Sequence, residues 1–151
     1  MQLFIGGACA GKRDAVAARF PAANWCRLVP SRPLGDWRRQ GAPGTVRVIT
    51  GWLGWLQAAL AHEPDDDALR NQLAAELDAL CAAECRDGHE VVLILPEVGR
   101  GIVPMAASDR RLRDLAGWLA QDAAARAERV WYVRHGLLQV LRQVKAPANA
   151  R

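Results

Sequence analysis

The feature that most constrains the fold is a glycine-rich turn between a short apolar run and an alanine-rich segment near the start of the chain, LFIGGACAGKRDAVAARF. The apolar run Leu3–Ile5 predicts a buried strand, and Lys12–Phe20 predicts a helix. The turn between them fits the phosphate-loop pattern G-x-x-x-x-G-K-[ST] except at its last position, where Arg13 stands. A strand, a glycine loop and a helix in this order direct backbone N–H groups and the helix dipole toward an anion. The stretch therefore predicts a phosphate-binding loop, with a glycine turn that holds no ligand as the alternative.

Arg13 sets this loop apart from the usual pattern. The hydroxyl that normally follows the lysine ligates Mg²⁺, which neutralises the phosphates during transfer. Arginine cannot ligate a metal, but its guanidinium either adds positive charge beside a metal-free nucleotide or points to solvent. We expect the loop to bind ATP or GTP, and we expect Mg²⁺ binding to be weakened. The predicted nucleotide-binding residues are Gly6, Gly7, Ala8, Cys9, Ala10, Gly11, Lys12 and Arg13.

Segments of strand character alternate with segments of helical character along the rest of the chain. Continuous apolar strands that alternate with helices predict an α/β fold, with a mostly parallel sheet and helices on both faces. A chain of 151 residues suits one such domain, which we place at residues 1–151. The predicted strands are Trp25–Val29, Thr45–Thr50, Val91–Leu95 and Val130–Arg134, with an edge strand at Leu137–Gln143. Helices are predicted after Thr50 to about Ala61, at Asp67–Arg86 and at Asp109–Arg126, with a loop at residues 30–44 and a frayed tail at residues 145–151.

Charge and apolar content argue against two classes of partner. The net charge is +4 and the pI is about 9.2, but the basic residues are scattered rather than interleaved with aromatic residues, so we predict no nucleic-acid binding. No run of about 18 apolar residues occurs, and the N-terminal MQLFIGG lacks the features of a secretory signal. We expect a cytoplasmic protein that does not span a membrane.

The cysteines and histidines form no recognisable metal-binding pattern. Cys81 and Cys85 lie one helical turn apart, but no second pair follows at zinc-ligand spacing. We therefore predict no metal site, buried free thiols, and histidines that lie at the surface or in loops. These residues are Cys9, Cys26, Cys81, Cys85, His62, His89 and His135.

Glu97 is the candidate catalytic residue, because it follows the most apolar predicted strand, VVLIL. Groups at the carboxyl ends of parallel strands face ligands in α/β sheets. Gly99 and Gly101 allow the backbone to turn closely beside it. A carboxylate there would position an attacking hydroxyl or hold a metal through water. The alternative is a glutamate that only caps a turn.

The stretch around Glu97 resembles a known family. A strand ending in N-E-V-G-x-G-I-V-P, a helix with R-D-x-A-G and a strand V-W-x-V are typical of the bifunctional adenosylcobinamide kinase / adenosylcobinamide-phosphate guanylyltransferase family of cobalamin biosynthesis. The family opens with a strand and G-G-x-x-S-G-K-S, and its R-P-x-x-W element resembles Arg32, Pro33 and Trp37, with one extra residue here. The matching residues of the second half are Glu97, Val98, Gly99, Gly101, Ile102, Val103, Pro104, Arg113, Asp114, Ala116, Gly117, Val130, Trp131 and Val133.

This resemblance implies a fold, an assembly and a chemistry. The fold is that of a RecA-like P-loop NTPase, and the assembly is a homotrimer. The chemistry is phosphoryl transfer from ATP or GTP to adenosylcobinamide, followed by GMP transfer through a guanylylated histidine. The resemblance also implies that Arg32, Trp37 and Thr50 contact the nucleotide or the substrate, and that Glu97 takes part in catalysis.

Three departures from the family pattern fall on its chemistry. The loop ends in Arg13 instead of serine, and Thr50 takes the place of an acidic residue after the third strand. The guanylylated histidine of the family precedes R-P-x-x-W, yet this chain has no histidine between Lys12 and Trp55. We therefore predict that guanylyl transfer is lost and that kinase activity is in question. The alternative is a non-catalytic relative that acts as a binding partner or regulator in corrinoid metabolism.

Overall fold

A computed structural model describes residues 1–41 and 44–144, and the strands of this part of the chain form a six-stranded sheet. Every predicted strand and helix is present, with its bounds shifted by no more than a residue or two. The strands are β1 (Gln2–Gly6), β2 (Asn24–Arg27), β3 (Arg47–Thr50), β4 (Val91–Pro96), β5 (Arg129–Arg134) and β6 (Leu137–Gln143). The α-helices are α1 (Lys12–Arg19), α2 (Trp52–Leu60), α3 (Asp66–Asp87) and α4 (Ala107–Arg126).

The strand order is β2-β3-β4-β1-β5-β6. Neighbouring strands from β2 to β5 are parallel, and β6 is an antiparallel edge strand on β5. The predictions of a mostly parallel sheet and of an edge strand are thus confirmed. Because β1 to β4 are parallel, their carboxyl ends meet at one edge of the sheet. Within the described ranges, no helix combines the length and apolar content needed to cross a membrane.

Helices cover both faces of the sheet, as predicted. The face that carries Leu3, Ile49 and Leu93 packs against α2, α3 and α4, and the face that carries Phe4 packs against α1 through Val16. Leu3 and Phe4 belong to opposite faces because successive side chains of a strand point to opposite sides. All five side chains are buried, and each such burial stabilises the fold by about 1.5–3 kcal/mol.

The predicted loop of residues 30–44 contains a 3₁₀ helix, Leu34–Arg39, so the prediction was wrong for this part. Trp37 is buried there, and its indole N–H donates to the Glu76 carboxylate of α3. This contact with α3 stabilises a helical turn in a segment whose proline and glycine content favours a loop. Residues 42 and 43 and the predicted tail, residues 145–151, lie outside the described residues.

The burial of the cysteines and histidines departs from the prediction at particular positions. Cys26 is buried, and burial raises the pKa of its thiol. Cys9 and Cys85 are exposed, because the first lies in the glycine loop and the second on the solvent side of α3. His89 lies in a loop, as predicted, but it is buried, with its Nδ1 3.2 Å from the Thr45 carbonyl oxygen.

Candidate phosphate-binding site

The glycine loop joins β1 to α1. Gly11 adopts a φ of +89°, and α1 begins at Lys12 with no side chain capping its first turn. The first N–H groups of a helix have no acceptor within the helix, and they carry the positive end of its dipole. An anion at this end of α1 would therefore meet donors that are not already in use.

Lys12 folds back over the loop. Its Nζ donates hydrogen bonds to the carbonyl oxygens of Gly6 (2.8 Å) and Gly7 (2.6 Å). Burial lowers the pKa of the Lys12 ammonium, while the charges of Cys9 and Glu97 act in the opposite direction. A partly buried cation that is held by neutral carbonyl groups gains free energy when an anionic acceptor approaches, since charge-assisted hydrogen bonds are stronger.

The turn between β5 and β6 packs against the glycine loop. Gly136 in this turn donates its backbone N–H to the carbonyl oxygen of Ala10 (2.9 Å). A Cβ on Gly11 would lie 3.0 Å from the Gly136 Cα, and a Cβ on Gly6 would lie 2.2 Å from the Val133 carbonyl oxygen. Both positions therefore need glycine so that two backbones can approach, and Gly11 also needs it for its positive φ.

A cavity of about 510 Å³ opens beside the loop, at the carboxyl ends of β2, β3 and β4. This is the edge at which parallel α/β sheets bind ligands, and the volume suits a small molecule. The lining consists of Cys9–Asp14 from the loop and α1, Arg27 from β2, Thr50 from β3, Gly51–Gly54 at the start of α2, and Ile94 and Pro96 from β4.

Most of the charged side chains that line this cavity are cationic. Among the described residues, the lining holds the three cationic side chains of Lys12, Arg13 and Arg27 and one carboxylate, that of Asp14. The Arg13 guanidinium lies 6.0 Å from the ring centroid of Trp25, at the outer limit of a cation–π contact. The net positive charge favours an anionic ligand.

The start of α2 forms another wall of the cavity. Gly51 adopts a φ of +86°, and no side chain caps α2. Thr50, the last residue of β3, is only 7% exposed, and its hydroxyl makes no hydrogen bond within the described residues. The N-terminus of α2 and the Thr50 hydroxyl therefore line the same cavity as Lys12, and both offer hydrogen-bond donors that are not in use.

Glu97 lies beside the glycine loop but does not line the cavity. Its backbone N–H donates to the Gly6 carbonyl oxygen (2.8 Å). Its carboxylate accepts a hydrogen bond from the Tyr132 hydroxyl (2.9 Å) and forms an ion pair with Arg100 Nε (2.8 Å). Both carboxylate oxygens are thus engaged, and the Arg100 side chain would have to move before Glu97 acts as a base.

The structure does not bring Arg32 and Trp37 to the cavity. The Arg32 side chain is exposed, and its carbonyl oxygen accepts a hydrogen bond from the Trp55 indole (3.0 Å). Trp37 is buried against α3. Of the three contacts that the resemblance implies, Thr50 is the one that lines the cavity.

Several parts of the lining were not predicted as site residues from the sequence, namely Asp14, Arg27, the N-terminus of α2, and Ile94 and Pro96 of β4. The predicted second strand extends to Val29, which places Arg27 inside the strand, whereas β2 ends at Arg27. The α2 terminus has a sequence signal in Gly51, a glycine directly after a β-branched strand and before a helical segment.

The charges of the cavity lining do not favour the Mg²⁺ that the phosphate-loop pattern implies. Magnesium takes oxygen ligands in octahedral geometry, usually one or two carboxylates together with waters and substrate phosphates. Across residues 1–41 and 44–144, no three His, Cys, Asp or Glu side chains come together as a metal site. The lining offers one carboxylate, Asp14, beside three cationic side chains that would repel a metal ion.

Comparison with known proteins gives three relatives and one family. A family model described as cobinamide kinase / cobinamide phosphate guanyltransferase matches residues 31–141. The bifunctional adenosylcobalamin biosynthesis protein CobU of Escherichia coli (strain K12) is 43% identical over 75 residues, which cover 50% of this chain and 41% of the relative. The protein of the same name from Salmonella typhimurium is 38% identical over 97 residues, 61% of this chain and 54% of the relative. The bifunctional adenosylcobalamin biosynthesis protein CobP of Pseudomonas aeruginosa is 42% identical over 128 residues, 84% of this chain and 71% of the relative.

The match extends from the segment before the 3₁₀ helix into β6, and so covers most of the sheet. The chain spans 41% and 54% of the length of the two CobU proteins, and 71% of the length of CobP. The predicted P-loop NTPase fold is confirmed, because this family has that fold and the sheet is mostly parallel with helices on both faces. The chain belongs to the cobinamide kinase / cobinamide phosphate guanyltransferase family.

Proposed function

We propose that this chain binds the phosphates of ATP or GTP in the cavity beside the glycine loop, as a nucleotide-binding protein of cobalamin biosynthesis. The observation that carries the proposal is the convergence of two uncapped helix N-termini and three cationic side chains on one cavity. Backbone N–H groups at helix N-termini and charged donors are the groups that bind phosphate in proteins.

Lys12 changes partners when a nucleotide binds. In the free protein its Nζ is held by the carbonyl oxygens of Gly6 and Gly7. A phosphate oxygen is a stronger acceptor for an ammonium than a neutral carbonyl, so the lysine turns outward to the ligand. The loop then keeps its shape through the Gly136 contact, which does not involve the lysine.

Guanylyl transfer is not an activity of this chain on the present proposal. The family description includes a guanyltransferase, and the resemblance implies that this transfer uses a histidine nucleophile just before R-P-x-x-W. No histidine occurs between Lys12 and Trp55. Incubation with labelled GTP is therefore expected to leave the protein without a covalent guanylyl adduct, and detection of one would contradict this part.

Kinase activity toward adenosylcobinamide is the second candidate, and the position of Glu97 favours it. The backbone bond to Gly6 holds the Glu97 carboxylate next to the phosphate loop. A base there would accept the proton of an attacking hydroxyl, once Arg100 releases it. With Glu97 still paired, the chain would bind nucleotide as a partner or regulator in corrinoid metabolism. Measuring phosphoryl transfer to adenosylcobinamide by the wild type and by Arg100→Ala distinguishes the kinase from the partner or regulator. Transfer by either protein supports the kinase, and its absence in both supports the partner or regulator.

The chain also self-associates as a homotrimer on this proposal, as the resemblance implies. Exposed apolar side chains on the edge strand β6 support an association surface, since a free sheet edge is a template for contact with another chain. The most exposed of them are Leu137 (73%) and Leu141 (56%).

Isothermal titration calorimetry of ATP and GTP against the full chain tests the nucleotide proposal. Binding is expected in the wild type, and Lys12→Ala should weaken it about tenfold or more, since it removes a charge-assisted hydrogen bond. Arg19→Ala is the matched control, because Arg19 also lies on α1 but outside the cavity, over the Trp131 ring. Absence of binding at millimolar nucleotide, both with and without Mg²⁺, would reject the proposal.

A further inference from the structure

The two arginines that line the cavity differ from most other arginines of the described residues in how they are paired. Arg13 and Arg27 line the cavity and form no ion pair within the described part of the chain. Elsewhere, Arg70 is paired with a carboxylate of α4, and Arg126 with a carboxylate of α3. Two guanidinium groups without counterions beside one cavity leave a positive charge that a bound anion would neutralise.

Arg13 is the departure from the phosphate-loop pattern, and Thr50 is a departure from the family pattern that leaves the third strand without a carboxylate. Arg13 stands where the pattern has the hydroxyl that ligates Mg²⁺. Its guanidinium offers donors that match two phosphate oxygens at once. By the resemblance, Thr50 stands where the family has an acidic residue, and Thr50 lines the same cavity with a hydroxyl that makes no hydrogen bond within the described residues. Among the described residues, the lining thus holds more groups that attract an anion than groups that attract a cation.

The α2 N-terminus acts in the same direction. Gly51 and Trp52 begin this helix within the cavity lining, and no side-chain acceptor caps it. The positive end of the helix dipole therefore lies next to Thr50, where an acidic residue would have opposed it. A metal ion at this position would meet the repulsion of the helix end as well as that of Arg27.

We infer that this cavity binds nucleotide phosphates without a divalent cation, and that Arg13 and Arg27 supply the positive charge that Mg²⁺ supplies in P-loop proteins. The inference rests on the proposed nucleotide binding and specifies that the nucleotide binds as the metal-free form and not as its magnesium complex. A metal-free triphosphate carries more negative charge than its magnesium complex. It is therefore the better ligand for a cavity with three cationic side chains and one carboxylate.

The first test compares ATP and GTP binding by isothermal titration calorimetry in EDTA and in excess Mg²⁺, with the full chain in both. Affinity in EDTA is expected to equal or exceed affinity in Mg²⁺. Binding that is detected only with Mg²⁺ would overturn the inference while the nucleotide proposal stands. Absence of binding in both buffers would overturn the two together.

The second test uses substitutions that restore the usual ligands. Arg13→Ser is expected to weaken binding in EDTA about tenfold, because a charge-assisted contact to phosphate is lost, and to weaken it less when Mg²⁺ is present. Thr50→Asp should act in the same way, since it adds a carboxylate that a metal has to neutralise. The matched control is Arg19→Ser, which makes the same change on α1 outside the cavity.

Thermal unfolding of each variant checks that it is folded before binding is measured. A loss for Arg13→Ser in EDTA that is no greater than the loss for Arg19→Ser would overturn the role of Arg13. An equal loss with and without Mg²⁺ for both Arg13→Ser and Thr50→Asp would overturn the idea that these positions decide the metal requirement.

Discussion

At the scale of single residues, Lys12 connects the shape of the loop with its chemistry. The same ammonium holds two carbonyl oxygens of the loop in the free protein and is the group best placed to contact a phosphate. Burial lowers its pKa, so the lysine gives up its proton at a lower pH than an exposed lysine does. Binding of an anion raises that pKa again, because it stabilises the charged form.

This exchange predicts a pH dependence of nucleotide binding. Below the lowered pKa of free Lys12, the free and bound proteins are both protonated and affinity is constant. Between the lowered pKa of the free protein and the higher pKa of the complex, binding takes up a proton, so affinity falls as the pH rises. Calorimetry from about pH 7 to about pH 10, in buffers of different ionisation enthalpy, measures this uptake.

Lys12→Arg is the control for the pH experiment. An arginine stays protonated over the whole range, so this variant should bind with no proton uptake and a flat profile. A wild-type profile that is equally flat would contradict the assignment of Lys12 as the phosphate-binding cation.

At the scale of elements, the β5–β6 turn and the glycine loop behave as one unit. The Gly136 N–H bond to Ala10 and the close approach of Gly136 to Gly11 join a hairpin tip to the end of β1. The loop is therefore shaped by a neighbouring element before any ligand binds. Such preorganisation lowers the ordering cost of binding.

Gly11→Ala should destabilise the protein through this contact. A Cβ at position 11 meets the Gly136 Cα at 3.0 Å and forces alanine into the left-handed region. The combined penalty is about 2 kcal/mol or more in the free energy of unfolding, measured by urea denaturation. Gly7→Ala serves as the control, since its Cβ meets nothing within 4 Å, and it should change that free energy by less than about 0.5 kcal/mol. Equal losses in the two variants would contradict the role of the hairpin contact.

At the scale of the whole molecule, the two edge strands of the sheet differ. β2 closes one edge, and β6 forms the other as the antiparallel strand, with exposed apolar side chains. An apolar, unpaired edge is avoided in monomeric proteins, because it pairs with other chains. Self-association through β6 would cover it and would place a second copy next to the hairpin that supports the glycine loop.

Leu141→Lys tests this association surface. The charge is expected to shift the wild-type assembly to a monomer of 16.5 kDa, measured by size-exclusion chromatography with light scattering. Val29→Lys, which adds the same charge at an exposed apolar residue after β2, should leave the assembly unchanged. A wild-type protein that is itself monomeric at micromolar concentration would reject the homotrimer.

The regular elements were predictable because their signals are local. Apolar runs bounded by glycine or proline identified the strands, and the alternation of strands with helices indicated the parallel sheet. The 3₁₀ helix was missed because it depends on Glu76, a residue far along the chain from Trp37. The state of Glu97 was beyond prediction for a similar reason, since its carboxylate is engaged by Tyr132 from β5 and by Arg100. Arg27 was missed because the predicted strand extended two residues beyond the observed end of β2, which placed Arg27 inside the strand and not at its carboxyl end.

The contact between Gly11 and Gly136 also affects what a glycine loop reveals about ancestry. Replacing Gly11 would disturb the fold even in a related chain that binds no nucleotide, so we expect glycine at this position on packing grounds alone. The side chain at position 13 is exposed, so the packing of the fold does not require a particular residue there. We therefore expect a glycine at position 11 to indicate the fold of a related chain, and the residue at position 13 to indicate whether the phosphates it binds carry a metal ion.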